Sequence, residues 1–226
     1  MKRRVVIIFD LDGTLIDSVP DLATSLNNTL KHFNKPTYHR NIIRNWVGNG
    51  AKVLVKRGLY GIKDTDDLPQ PDNFDEIMEY FLNSYQSNLC KETILYPNVI
   101  TTLQKLHKRG YILALATNKP ARFLPKIIDY FGLNELFSVI VGGDDLPHKK
   151  PHPMPLLHIC NSLGVDTANA IMVGDSKNDI LSAKSANITS IAVTYGYNYD
   201  IPISQFDPDY IVDDFKEIDG IIKCIN

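Results

Sequence analysis

A chain of 226 residues has room for one large domain, or for one domain carrying a smaller insertion, and either can bury a sizeable core. Its 24 Lys plus Arg against 26 Asp plus Glu leave a formal charge of −2, which excludes the strongly positive footprint that nucleic-acid backbones select. Apolar runs of about five residues fall far short of the roughly 20 needed to cross a bilayer, so no membrane partner is expected. Three cysteines without C-x-x-C spacing argue against a disulfide framework or zinc knuckle and suit a reducing cytoplasm.

The basic start and apolar run of residues 1–9 stop at Asp10 with no small-residue cleavage site, so they read as a first strand and not a signal sequence. Residues 18–92 then carry helical patterns and no convincing strand. Leu22, Leu26, Leu30 and Phe33 mark one apolar face, with Pro20 suited to a first turn. Gly48-Asn49-Gly50 precedes an apolar helix over 51–59, residues 64–72 form a polar, proline-containing loop, and Ile77, Phe81 and Tyr85 mark another helical face. From Tyr96 onward strands and helices alternate. Apolar runs at 112–116, 139–141, 171–173, 191–193 and 210–212 mostly lack in/out alternation, as buried parallel strands do. Helices are expected over 98–109, stopped by Gly110, over 154–163, stopped by Gly164, and after Asp175. The expected fold is α/β, a doubly wound parallel sheet formed by 1–17 and 93–226, with an inserted α-helical cap at 18–92.

In such sheets ligands bind beyond the carboxyl ends of the strands. The first strand delivers Asp10 and Asp12, the next Thr117 and Asn118, another leads through Gly142 to Asp144 and Asp145, and the fourth delivers Gly174 and Asp175. Carboxylates gathered from separate strand ends repel one another unless protons or a hard cation neutralise them. Oxygen donors of this kind suit magnesium, which also takes phosphate oxygens. Two positions apart on extended chain, Asp10 and Asp12 face one side, so one can attack an electrophile while the other handles the leaving group's proton. Alone, an Asp-x-Asp run is more often a polar turn, Thr117 equally a helix cap, and Lys149-Lys150 a solvated loop. Beside an acidic phosphate site, however, a lysine steadies both nucleophile and phosphoryl group, and Lys150 is favoured. His148, His152 and His158 read as surface residues. The Gly48-Asn49-Gly50 turn can aim free amides at a substrate carboxylate, or simply start a helix.

FDLDGT at 9–14, TNK at 117–119, KKPHP at 149–153 and GDSKND at 174–179 resemble, in order and spacing, the four motifs of the haloacid dehalogenase superfamily. WVGNGA at 46–51, KKPHP and TYGYNY at 194–199 resemble its phosphoglycolate phosphatase branch. The resemblance implies Asp10 as nucleophile through an aspartyl-phosphate, Asp12 as general acid/base, and Thr117, Asn118 and Lys150 on phosphate. It implies magnesium on Asp10, Asp175 and the Asp12 backbone carbonyl, with Asp179 behind them, and Gly48, Asn49 and Gly50 as a specificity loop. A monomer or homodimer acting on a small phosphorylated metabolite, with 2-phosphoglycolate first, is the resulting expectation. The alternatives are another small phosphate, such as a hexose phosphate met by a phosphatase or phosphomutase, and a phospho-aspartate receiver domain without turnover.

Overall fold

The computed structural model describes residues 4–225. Its strands are β1 (Val6–Phe9), β2 (Ile16–Asp17), β3 (Ile94–Leu95), β4 (Ile112–Ala116), β5 (Phe137–Val141), β6 (Ala170–Gly174), β7 (Thr189–Val193) and β8 (Tyr210–Val212). The helices are α1 (Val19–His32), α2 (Arg40–Arg44), α3 (Ala51–Tyr60), α4 (Phe74–Asn88), α5 (Val99–Lys108), α6 (Leu124–Tyr130), α7 (Met154–Leu163), α8 (Lys177–Ser185) and α9 (Ile218–Ile225). Six strands form one sheet in the order β5-β4-β1-β6-β7-β8, every pair parallel.

Strand β1 sits at the centre, with Val6 opposite both Ile112 and Ala170. Because side chains alternate across a strand, Ile7 and Phe9 pack with Leu103, Leu106, Ile127 and Ile218 on one face. Val6 and Ile8 pack with Leu156, Ile159 and Ala183 on the other. Both faces are covered by helices, which is why the strand is apolar without alternation. The change of direction in strand order at β1 and β6 opens a crevice above their carboxyl ends.

Helices α1 to α4 lie between the short antiparallel pair β2 and β3, in which Ile16 faces Leu95 and Asp17 faces Ile94. Buried Leu22, Leu26 and Leu30 of α1 and Ile77, Phe81 and Tyr85 of α4 join one apolar cluster. The chain's return toward the sheet is pinned by buried Asp21, whose carboxylate accepts from the Lys91, Glu92 and Thr93 amides at 3.1, 2.9 and 3.1 Å. A buried carboxylate this fully satisfied fixes local geometry more than it adds net stability.

Candidate active site

Asp10 leaves β1 with its amide bonded to the Val173 carbonyl of β6, so the sheet itself fixes where its carboxylate stands. The residue is 8% exposed, and its Oδ1 accepts from Lys150 Nζ at 2.8 Å. Lys150, 2% exposed, also donates to Asp179 Oδ1 at 2.6 Å. Asp179 in turn closes a capping box at the start of α8, its Oδ2 accepting from the Ser176 amide and hydroxyl at 3.0 and 2.7 Å. At the end of β6, Asp175 accepts from Thr14 Oγ1 at 2.8 Å and from the Tyr197 amide at 2.6 Å. Two glycines make room for it. A Cβ on Gly13, whose φ is +92°, would come within 2.3 Å of Asp175 Oδ2, and one on Gly196 within 2.2 Å of its Cβ.

Asp10, Asp175 and Asp179 each offer an oxygen within 4.8 Å of the others, the group among the described residues best suited to a cation. Burial first, then the neighbouring Asp179 and Asp12, push the Asp10 carboxyl up to about 7 against the pull of Lys150. Burial, Asp10 and Asp179 likewise hold Asp175 well above the ordinary carboxylate range. One ammonium cannot neutralise three buried carboxylates, and the all-oxygen donor set fits a hard divalent cation.

Asp12 faces a different neighbour. Both its oxygens accept from Lys119 Nζ, at 2.8 and 3.0 Å, and Oδ1 also accepts from Ser18 Oγ at 2.5 Å. Burial works against the Lys119 charge, but Asp12 and Tyr85 outweigh it and hold the ammonium above its usual range. Thr117, at the end of β4, accepts at Oγ1 from the Lys119 amide, 3.2 Å away. Asn118 donates to the Gly48 and Lys150 carbonyls at 3.0 and 2.9 Å, linking the helical segment to the sheet.

These groups line a narrow cavity of about 40 Å³, room for roughly three waters. Asp10, Asp12, Thr117, Asn118, Lys119 and Lys150 form its floor, and Leu22, Leu54, Phe81 and Tyr85 close it from the helices. Gly48 and Gly50 reach the wall. Asn49 instead meets Tyr199, Arg57 and, through its carbonyl, Lys149 Nζ at 2.6 Å.

Lys119 was visible in the TNK run but carried no sequence-based role, and its contact with Asp12 arises only when β1 and β4 lie side by side. Thr14 closes the FDLDGT run without a role of its own in the sequence reading, and Ser18 lies in an ordinary post-strand stretch. The TYGYNY run returns from β7 to supply Tyr197 and Tyr199, its Gly196 being the local clue. Asp144 and Asp145 do not join the acidic group. They accept from the Ala121 and Gly142 amides at 2.7 and 2.6 Å, ordinary loop caps. His148, His152 and His158 are exposed.

Residues 7–193 match the family described as haloacid dehalogenase-like hydrolase. The chain belongs to that family. Within it, the chain is 46% identical to a phosphoglycolate phosphatase of Psychrobacter arcticus over 98% of its length and 97% of that protein's. It is 46% identical to one of Colwellia psychrerythraea, covering 96% of each. A crystal structure of a predicted phosphoglycolate phosphatase from Haemophilus somnus 129PT superimposes with a TM-score of 0.91 at 44% identity, covering 98% of this chain and 99% of that one. This family member is therefore an enzyme close to the bacterial phosphoglycolate phosphatases. Among the described residues no helix is long and apolar enough to cross a membrane.

Proposed function

We propose that this phosphatase is a magnesium-dependent phosphomonoesterase that works through a phosphorylated Asp10 and hydrolyses 2-phosphoglycolate to glycolate and phosphate. The observation that carries the reading is the buried trio of Asp10 and Asp175, at the carboxyl ends of β1 and β6, and Asp179, at the start of α8, with Lys150 bridging Asp10 and Asp179. The similarity to named phosphoglycolate phosphatases supports the substrate.

Asp10, the backbone carbonyl of Asp12 and Asp175 would hold the magnesium, with Asp179 supporting them through Lys150. A bound magnesium neutralises the carboxylates and withdraws charge from the phosphoryl oxygens. Asp10 attacks phosphorus in line, and the phosphoryl group leaves its ester oxygen for the carboxylate. Lys150 and Thr117 steady the equatorial oxygens, and Asn118 braces the floor on which they stand. Asp12 gives its proton to the departing alkoxide and then takes one from the water that cleaves the acyl phosphate, so acid and base duties fall on one group in sequence.

Residues 18–92 act in this reading as a cap over a core of 1–17 and 93–226, excluding bulk water from the acyl phosphate. The Gly48-Asn49-Gly50 turn, at the start of α3, serves as a specificity loop that shapes the cavity wall through Gly48 and Gly50. A cavity roofed by the helices favours a small phosphorylated metabolite over a protein- or polymer-borne phosphate. Phosphate release measured across small phosphomonoesters, with and without magnesium, tests the whole reading. Highest kcat/KM for 2-phosphoglycolate and loss of turnover on chelation are expected. Equal rates on hexose phosphates, or full activity in chelator, would overturn it.

A further inference from the structure

Lys150 and Lys119 are the cations that line the cavity. Lys150 is committed twice over, to Asp10 and Asp179, and sits at the phosphoryl end. Lys119 stands farther toward the helices, its Nζ 4.8 Å from the centre of the Tyr85 ring. Tyr85 is 1% exposed and lines the same space, yet its hydroxyl is donated to nothing. Burial keeps that phenol protonated, above its ordinary range, so it is a donor waiting for an acceptor. Apart from Asp12, the surroundings at that end are apolar, from Leu22, Leu54, Phe81 and Phe123. An ammonium and a hydroxyl whose proton is given to no protein group, on a wall that is apolar but for Asp12, make a receptor for one anionic group.

Lys119 grips both oxygens of Asp12, the carboxylate assigned to proton transfer. We propose that Lys119 and Tyr85 select the substrate by its second anionic group: the carboxylate of 2-phosphoglycolate takes the Lys119 ammonium and the Tyr85 hydroxyl, loosening the grip on Asp12. The inference rests on the substrate reading above. It makes the ester's carboxylate a requirement for fast turnover, since a phosphoester without one leaves Lys119 on Asp12.

The test compares 2-phosphoglycolate with ethyl phosphate, which has the same phosphoester and no carboxylate. Wild type is expected to prefer 2-phosphoglycolate in kcat/KM. Lys119→Met should lower that preference by about 10- to 100-fold, the range expected when a charge-assisted contact is lost. Lys119→Arg should keep most of it, and Tyr85→Phe should lower it by about 3- to 10-fold. Binding supplies a readout free of turnover. In the full-length Asp10→Asn protein with magnesium present, adding Lys119→Met should weaken 2-phosphoglycolate binding at least tenfold more than ethyl phosphate binding, by calorimetry. Should the Met variant fail to fold by circular dichroism, Lys119→Gln replaces it with the same expectation. A preference that survives Lys119→Met, or its Gln substitute, within threefold overturns this inference alone. A wild type with no preference between the two esters overturns the substrate reading as well.

Discussion

On and just behind the floor of the cavity, Asp10 and Asp175 stand at strand ends, Asp179 at a helix start and Lys150 in the loop before α7, each held by at least one short hydrogen bond. The roof is made of Leu22, Leu54, Phe81 and Tyr85, carried on helices that join the sheet through β2 and β3. The floor gathers like charges at the cost of desolvation, which is tolerable only where rigid backbone and a counter-cation hold them. The roof has little charge, and its apolar walls strengthen the electrostatics beneath it. Bond-breaking is thus assigned to the stiff half of the molecule, and substrate choice to the seam where Lys119 of that half meets Tyr85 of the roof.

Substitutions on the floor should cost most. Asp10→Asn, prepared without deamidation, is expected to lower kcat by about 10⁵-fold, in the range seen when a nucleophile is removed, as measured by phosphate release. Lys150→Met should lower kcat by roughly 10²- to 10³-fold. It should also destabilise the fold by about 3–5 kcal/mol, because Asp10 and Asp179 lose their buried partner, a change read by urea denaturation. A roof residue that matched either loss in kcat would break the division of labour.

The floor also makes a pH prediction for metal-free protein. Native Asp10 keeps its proton up to about 7, whereas an unfolded aspartate loses it near 4, by the model-peptide value of about 3.9. Across that window the native state binds more protons, so unfolding free energy falls as pH rises and the penalty is complete above 7. Magnesium binds the charged form, so it should raise Tm more at pH 8 than at pH 5. Equal shifts in calorimetry would remove the buried trio as the cation's seat.

The smallest effect belongs to the strap joining the two halves. Tyr199 meets Asn49 through its hydroxyl and accepts there from Asn178 Nδ2 at 3.2 Å. Tyr199→Phe keeps the ring under Arg57, Lys63 and Lys177 and removes that hydroxyl. A stability loss of about 1 kcal/mol is expected, with KM raised more than kcat is lowered. A larger fall in kcat would place Tyr199 with the floor.

Much of the floor was legible because its residues follow apolar runs directly. Asp10, Thr117 and Asp175 each stand one residue past a strand end, so finding the strands found the groups. The apolar faces of α1 and α4 were legible for the same reason, from helical spacing alone. The two-residue strands β2 and β3 gave no periodic signal, being too short to repeat. Helix α6 follows a short turn and starts with Leu124-Pro125, so its pattern is brief. The Lys119–Asp12 pair joins positions 107 apart in sequence, and spacing carries no information about such a contact. Tyr197 and Tyr199 come from farther still, brought in by the loop after β7.

The central claim, that Asp10 becomes covalently phosphorylated, is tested most directly by trapping it. Protein mixed with 2-phosphoglycolate and magnesium is quenched within one turnover and reduced with borohydride, which converts an aspartyl-phosphate to homoserine. Peptide mass spectrometry should then find homoserine at position 10 and none in Asp10→Asn. Turnover with no acyl phosphate captured at residue 10, or capture at another carboxylate, would contradict it.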